Sequence, residues 1–71
     1  MNENDIIITM RNDFIARCSA ARRTAKVTLK DIALELGYTP ENVRKFEKGL
    51  NNSLILAFYY IHRFGVEVED D

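Results

Sequence analysis

Apolar positions recur along the chain in helical rather than alternating spacing. From residue 9 onward they fall at Met10, Phe14, Cys18 and Ala21, with Ile15 beside them. Steps of four, four and three draw one stripe on a helix. The pattern predicts a first helix from an N-cap at Thr9 to about Arg23, with Cys18 as a small buried hydrophobe on its stripe. Upstream, Ile6-Ile7-Ile8 places three β-branched residues together, which favours an extended segment. Thr24 to Val27 reads as a connector.

A second, tighter stripe runs through Leu29, Ile32, Ala33 and Leu36. Thr28 is its N-cap, Asp31 closes a variant capping box, and Gly37 is the residue at which the helix ends. After Tyr38, Thr39 caps a third helix with Pro40 in the first position, where the missing N–H costs nothing. Val43 and Phe46 face inward on it, Gly49 closes it, and Leu50 is free to fold back. Ser53 or Asn52 caps a fourth helix that runs to about Phe64 and stops at Gly65. Its core stripe reads Leu54, Ala57, Phe58, Ile61 and Phe64.

Ile55, Leu56, Tyr59 and Tyr60 occupy the rest of that fourth cylinder. A helix apolar nearly all round must be buried nearly all round, and a domain of this size cannot wrap it. Either Ile6-Ile7-Ile8 folds over the surplus face or a partner does. Ile55, Leu56, Tyr59, Tyr60 and Arg63 are therefore the candidate interface. The expected architecture is an all-α, compact four-helix domain. It comprises an N-terminal extension (1–8), a domain (9–66) and an acidic tail (67–71).

Composition narrows the function classes. With 71 residues the chain is one small domain, and 46% apolar with 30% charged is a globular balance. One Cys and one His exclude an internal disulfide and a His/Cys zinc cage within one chain. The apolar run from Leu54 to Ile61 is too short for a membrane span, and the acidic start lacks the basic region of a signal peptide. A cytoplasmic location is the expectation. No nucleophile–base pair, metal-ligand spacing or Gly-rich phosphate loop is visible, so neither catalysis, a cofactor nor a metal is expected. His62 reads as a surface or interface histidine.

The net charge of -1 hides a segregation: residues 11–30 carry six basic side chains against Asp13, whereas residues 51–71 carry Arg63 against four acids. A basic segment is a footprint for phosphate or simply a solvated helix face. The sequence pI near 5.8 weighs against strong nucleic-acid binding.

Two short helices joined by a tight turn with Gly at its start form a helix-turn-helix outline. The stretch Thr28–Gly49 resembles the lambda-repressor-like (Cro/CI, XRE-type) helix-turn-helix family. The markers are Ala33, Leu36-Gly37, Val43, Phe46 and Glu47-Lys48-Gly49. The resemblance covers roughly residues 10–66 and implies a recognition helix at the third position. It also implies an ion pair between Arg22 and Glu47. By the same resemblance Glu41, Asn42, Arg44 and Lys45 would read bases or a partner, and Arg22, Lys30, Lys48, Asn51 and Asn52 would hold phosphates. Leu29 and Pro40-Glu41 depart from the polar residues that the family often places there, and a carboxylate repels phosphate.

Three functions follow as expectations. The first is a small phage-type regulator of a genetic switch that binds a double-stranded DNA operator, with dimers spanning half-sites about one helical turn apart. The second is an acidic antirepressor, or modulator of repression, that grips a phage repressor protein and has little DNA affinity of its own. In size and acidity the chain resembles the modulators of lactic-acid-bacterial phages. The third is an antitoxin. Each implies a homo- or hetero-oligomer and no membrane.

Overall fold

The computed structural model describes residues 2–68. Four helices follow in order: α1 (Glu3–Thr24), α2 (Leu29–Leu36), α3 (Pro40–Glu47) and α4 (Leu54–Phe64). The fold is all-helical, with no strand among the described residues. None of these helices is long and apolar enough to cross a membrane.

The caps explain the boundaries. Thr28 accepts a hydrogen bond from the Asp31 amide at 3.1 Å, and Asp31 accepts one from the Thr28 amide at 3.1 Å. This reciprocal box satisfies two otherwise unpaired donors of the first turn. Gly37 ends α2 at φ 71°, and the amide N–H groups of both Gly37 and Tyr38 reach the Ala33 carbonyl. Thr39 caps α3 through the Asn42 amide, ahead of Pro40. Gly49, at φ 74°, lets the chain reverse so that the Leu50 amide closes onto Lys45 O at 2.8 Å. Ser53 caps α4 through the Leu56 amide.

The helical pair α2 and α3 packs together, and both α3 and α4 lie against α1. One core joins them. Cys18 comes from α1, Ile32 and Ala33 from α2, Val43 and Phe46 from α3, and Leu56 and Tyr60 from α4. Val66 follows α4 and seals the end. Ile15 is buried alongside. At about 25 cal/mol per Å² of apolar surface removed from water, each of the larger side chains contributes roughly 1.5–3 kcal/mol.

The expected boundaries fail at the start of the chain. Residues 3–8 are not an extended extension; they are the first turns of α1. Asn2, not Thr9, is the N-cap, and its side chain accepts from the Asp5 amide at 3.0 Å. Thr9 lies inside the helix and donates its hydroxyl to the Asp5 carbonyl. Three isoleucines cost a helix only about 1 kcal/mol together. Propagating a helix already anchored by Ile15 and Cys18 adds a hydrogen bond per residue and outweighs that. Glu3 and Asp5 also suit the positive end of the helix dipole.

The expected phase of α4 is also corrected. Leu56 and Tyr60, taken as interface residues, are 1% and 0% exposed, whereas Leu54 and Phe58, taken as core, are 71% and 64% exposed. The physical reason is polar. Tyr60 stacks on Phe46, with ring centroids 5.5 Å apart, and its hydroxyl donates to Glu47. A Tyr buried with its hydroxyl satisfied outcompetes a Phe of similar size. Met10 on α1 is exposed, not on the buried stripe, and Leu50 turns back onto α3 through its amide while its side chain stays exposed.

Candidate functional site

The surface expected to read a ligand is the outer side of α3. Glu41, Asn42, Lys45 and Lys48 are exposed there, and Arg44 is half-exposed. Pro40 opens the helix without an N–H, so no first-turn amide is lost. Glu41 and Arg44, three residues apart, share one helix face. Their fork is bidentate: Arg44 Nε donates to Glu41 Oε2 at 2.8 Å and Nη2 to Oε1 at 2.5 Å. The Arg44 hydrogen bonds hold the Glu41 carboxyl below its usual range, and Glu41 raises Arg44 in turn. The arginine is therefore already engaged, and a carboxylate stands beside it at the mouth of the helix.

Beneath this face lies a polar cleft of about 210 Å³, lined by Ser19, Arg22, Arg23, Leu29, Arg44, Glu47 and Lys48. Its floor is the ion pair. Arg22 Nε donates to Glu47 Oε2 at 2.6 Å and Nη2 to Oε1 at 3.0 Å. Arg22 Nη1 donates to the Val27 carbonyl at 3.0 Å. The two side chains are only 13% and 7% exposed. Burial alone would raise the Glu47 carboxyl; the hydrogen bonds from Arg22 and Tyr60 and the Arg22 charge together bring it below the ordinary value. Burial, then the neighbouring Glu47 charge, pushes the Cys18 thiol up to about 12, so it is an unreactive core group.

The phosphate set assembles only in part. Arg22 is turned inward to Glu47 and Val27, so its fork serves the fold. Asn51 is likewise internal: its Nδ2 donates to Asn42 O at 3.2 Å, and its Oδ1 accepts from the Ser53 amide at 3.3 Å. Asn52 is exposed, and its Oδ1 accepts from Arg11 Nη1 at 3.0 Å. Lys30 and Lys48 are exposed cations on α2 and at the end of α3. Sequence reading missed Arg23, an exposed cation lining the cleft. Its signal was present in the Arg22-Arg23 pair, where one arginine is bound inward and its neighbour points away.

Of the α4 set, Ile55 is on the surface and Leu56 and Tyr60 are not. Tyr59 and Arg63 are tied to α2. The Tyr59 hydroxyl donates to Glu35, and Arg63 Nη1 donates to Glu35 Oε2 at 2.8 Å and to the Tyr59 hydroxyl. The Arg63 guanidinium also lies 5.3 Å from the Phe64 ring centroid. Glu35, the hub of this cluster, was not foreseen. The surplus apolar surface of α4 is instead Leu54, Ile55 and Phe58. Among the described residues, no group of three or more His, Cys, Asp or Glu side chains is placed to hold a metal ion.

Comparison of the chain with protein-family models, curated proteins and solved structures finds no significant match.

Proposed function

We propose that this chain is a small helix-turn-helix regulator of transcription, with α2 and α3 as the helix-turn-helix and α3 as the face through which it acts. The sequence resemblance to lambda-repressor-like domains supports this reading. So does the bidentate Arg22–Glu47 pair that ties the first helix to the third. On the geometry of α3 its immediate ligand is a partner repressor protein, in the manner of a phage antirepressor or modulator of repression.

The observation that carries the choice of ligand is the Glu41–Arg44 fork. An arginine that reads guanine must offer both donors to O6 and N7. Here those donors are held by a carboxylate that would itself face the phosphates. A protein surface can take an exposed Glu and Arg together, the carboxylate meeting a cation and the guanidinium an acid. A basic recognition helix on a repressor has the complementary charge for Glu41.

Operator binding is the second reading, favoured by the cations Arg23, Lys30, Lys45 and Lys48 around the cleft and the α3 face. Fluorescence anisotropy separates the two. The chain is titrated onto labelled operator-length duplex DNA at two salt concentrations, with and without the repressor whose gene neighbours its own. The proposal expects negligible DNA binding alone and loss of the repressor–DNA complex when the chain is added. Glu41→Gln should weaken capture of the repressor by about tenfold, the loss of one desolvated charge pair. Tight, steeply salt-dependent binding of DNA by the chain alone, strengthened by Glu41→Gln, would establish the operator reading instead.

A further inference from the structure

α1 is longer than the body it packs against. Twenty-two residues at 1.5 Å each make a helix of about 33 Å, in a molecule measuring 39 × 20 × 16 Å. Its buried residues are Ile15 and Cys18, and every residue from Asn2 to Met10 is exposed. On a 3.6-residue helix, Ile7 and Ile8 continue the line of Arg11, Phe14, Ile15 and Cys18 towards the N-terminus. They stand on the inward-facing side of α1 but remain 58% and 50% exposed among the described residues.

Where the overhang begins, an apolar groove of about 130 Å³ opens between α1 and the start of α4, lined by Arg11, Phe14, Ile15, Leu54 and Ala57 among others. Among the described residues, Arg11 is the only charged group lining it. Its Nη atoms meet two neutral amide oxygens, Asn52 Oδ1 and Asn12 Oδ1, and its Nε is buried with no hydrogen-bond partner. The reachable Nη atoms hold only neutral oxygens at exposed hydrogen bonds, so the guanidinium charge at the edge of this apolar groove favours a carboxylate carried on an apolar segment. The first turns of α1 are such a segment, with Glu3 flanking the face that holds Ile7 and Ile8.

We propose that two copies of this chain associate through these overhangs, α1 crossing α1 antiparallel near Ile7–Ile8, so that Glu3 of each copy approaches Arg11 of the other. The crossing is isologous, as a two-fold dimer requires. Residues 3–5 of one helix lie opposite residues 10–12 of the other, since the offsets from the crossing are equal. The partner's isoleucines fill the space beneath the overhang, against the exposed Leu54. The buried patch is small, which places the dimer among weak, transient interfaces. It is independent of what α3 binds.

Sedimentation equilibrium of the full chain from about 5 μM to 1 mM tests it, with helicity by circular dichroism confirming each variant folded. Wild type is expected to dimerise. Ile7→Glu and Arg11→Glu should each weaken the dimer by about tenfold or more, and Glu3→Arg combined with Arg11→Glu should restore it. Because Cys18 is buried, Ile7→Cys supplies the one accessible thiol and should give a disulfide-linked dimer under mild oxidation, whereas Ile55→Cys should not. A chain that stays monomeric to 1 mM overturns the proposal. So does a dimer indifferent to Ile7→Glu but broken by Phe58→Glu, which would place the contact on α4.

Discussion

Glu47 accepts hydrogen bonds from Arg22 Nε, Arg22 Nη2 and the Tyr60 hydroxyl, and so gathers α1, α3 and α4 at one carboxylate. Removing one member strands the others in a poorly hydrated place. Glu47→Gln is expected to cost about 3 kcal/mol at neutral pH, a fall in Tm on the order of 10–20 °C for a domain of this size. The folded-state pKa of Glu47 lies below its ordinary value near 4.5. Its contribution is therefore complete above that pH and lost as pH falls through the folded value. Thermal unfolding from pH 7 to pH 3 should show the wild-type and Glu47→Gln curves converging in acid. Parallel curves would mean that the carboxylate's charge is not what stabilises the fold. The Glu41–Arg44 fork is about half exposed, at 53% and 42%, and is screened by solvent, so its loss should leave Tm nearly unchanged.

At the scale of the elements, end signals proved more legible than faces. Thr28 with Asp31, Gly37, Thr39-Pro40 and Gly65 each carry local chemistry that a helix terminus needs, so four helices and the starts of α2 and α3 could be read directly, while the start of α4 stayed open between Asn52 and Ser53. The start of α1 could not, because Ile6-Ile7-Ile8 has a local preference that a helix nucleated elsewhere overrides. The phase of α4 was hidden for a different reason. Leu-Ile-Leu-Ala-Phe-Tyr-Tyr-Ile has no polar side to fix a rotation, and the choice fell to long-range bonds, from Tyr60 to Glu47 and from Tyr59 and Arg63 to Glu35. The same blindness affected Asn51, whose partner is a backbone carbonyl on α3. Substitution separates the two phases. Leu56→Ala should cost about 2–5 kcal/mol as a buried truncation. Phe58→Ser, at an exposed site, should stay within about 0.5 kcal/mol. Urea unfolding of the two variants measures both, and the reverse ranking would restore the stripe through Leu54 and Phe58.

Across the whole molecule, two surfaces lie on different parts of the chain. The α3 face with its cleft brings together the polar and charged groups: Glu41, Asn42, Arg44, Lys45, Lys48 and Arg23. The α1 overhang and the start of α4 hold Ile7, Ile8, Leu54, Ile55 and Phe58. Apart from Arg23, the markers of the first were visible in the sequence because they sit close together around one turn. The groove at Arg11 was not, because Asn52, Phe14 and Leu54 reach it from distant positions. If α3 engages a ligand and the overhang a second copy, as proposed above, mutations in the two should act additively.

The long first helix has a further consequence, in the time domain. From Ile6 to Met10 its amides are held by the helix alone, whereas those around Ile15 and Cys18 open only when the core does. Hydrogen–deuterium exchange should therefore run as a gradient along a single helix, fast at Ile8 and slowest near Cys18. The fast end should slow as the protein is concentrated. The amides from Ile6 to Met10 would then report, by their own proton exchange, whether a second molecule is at hand.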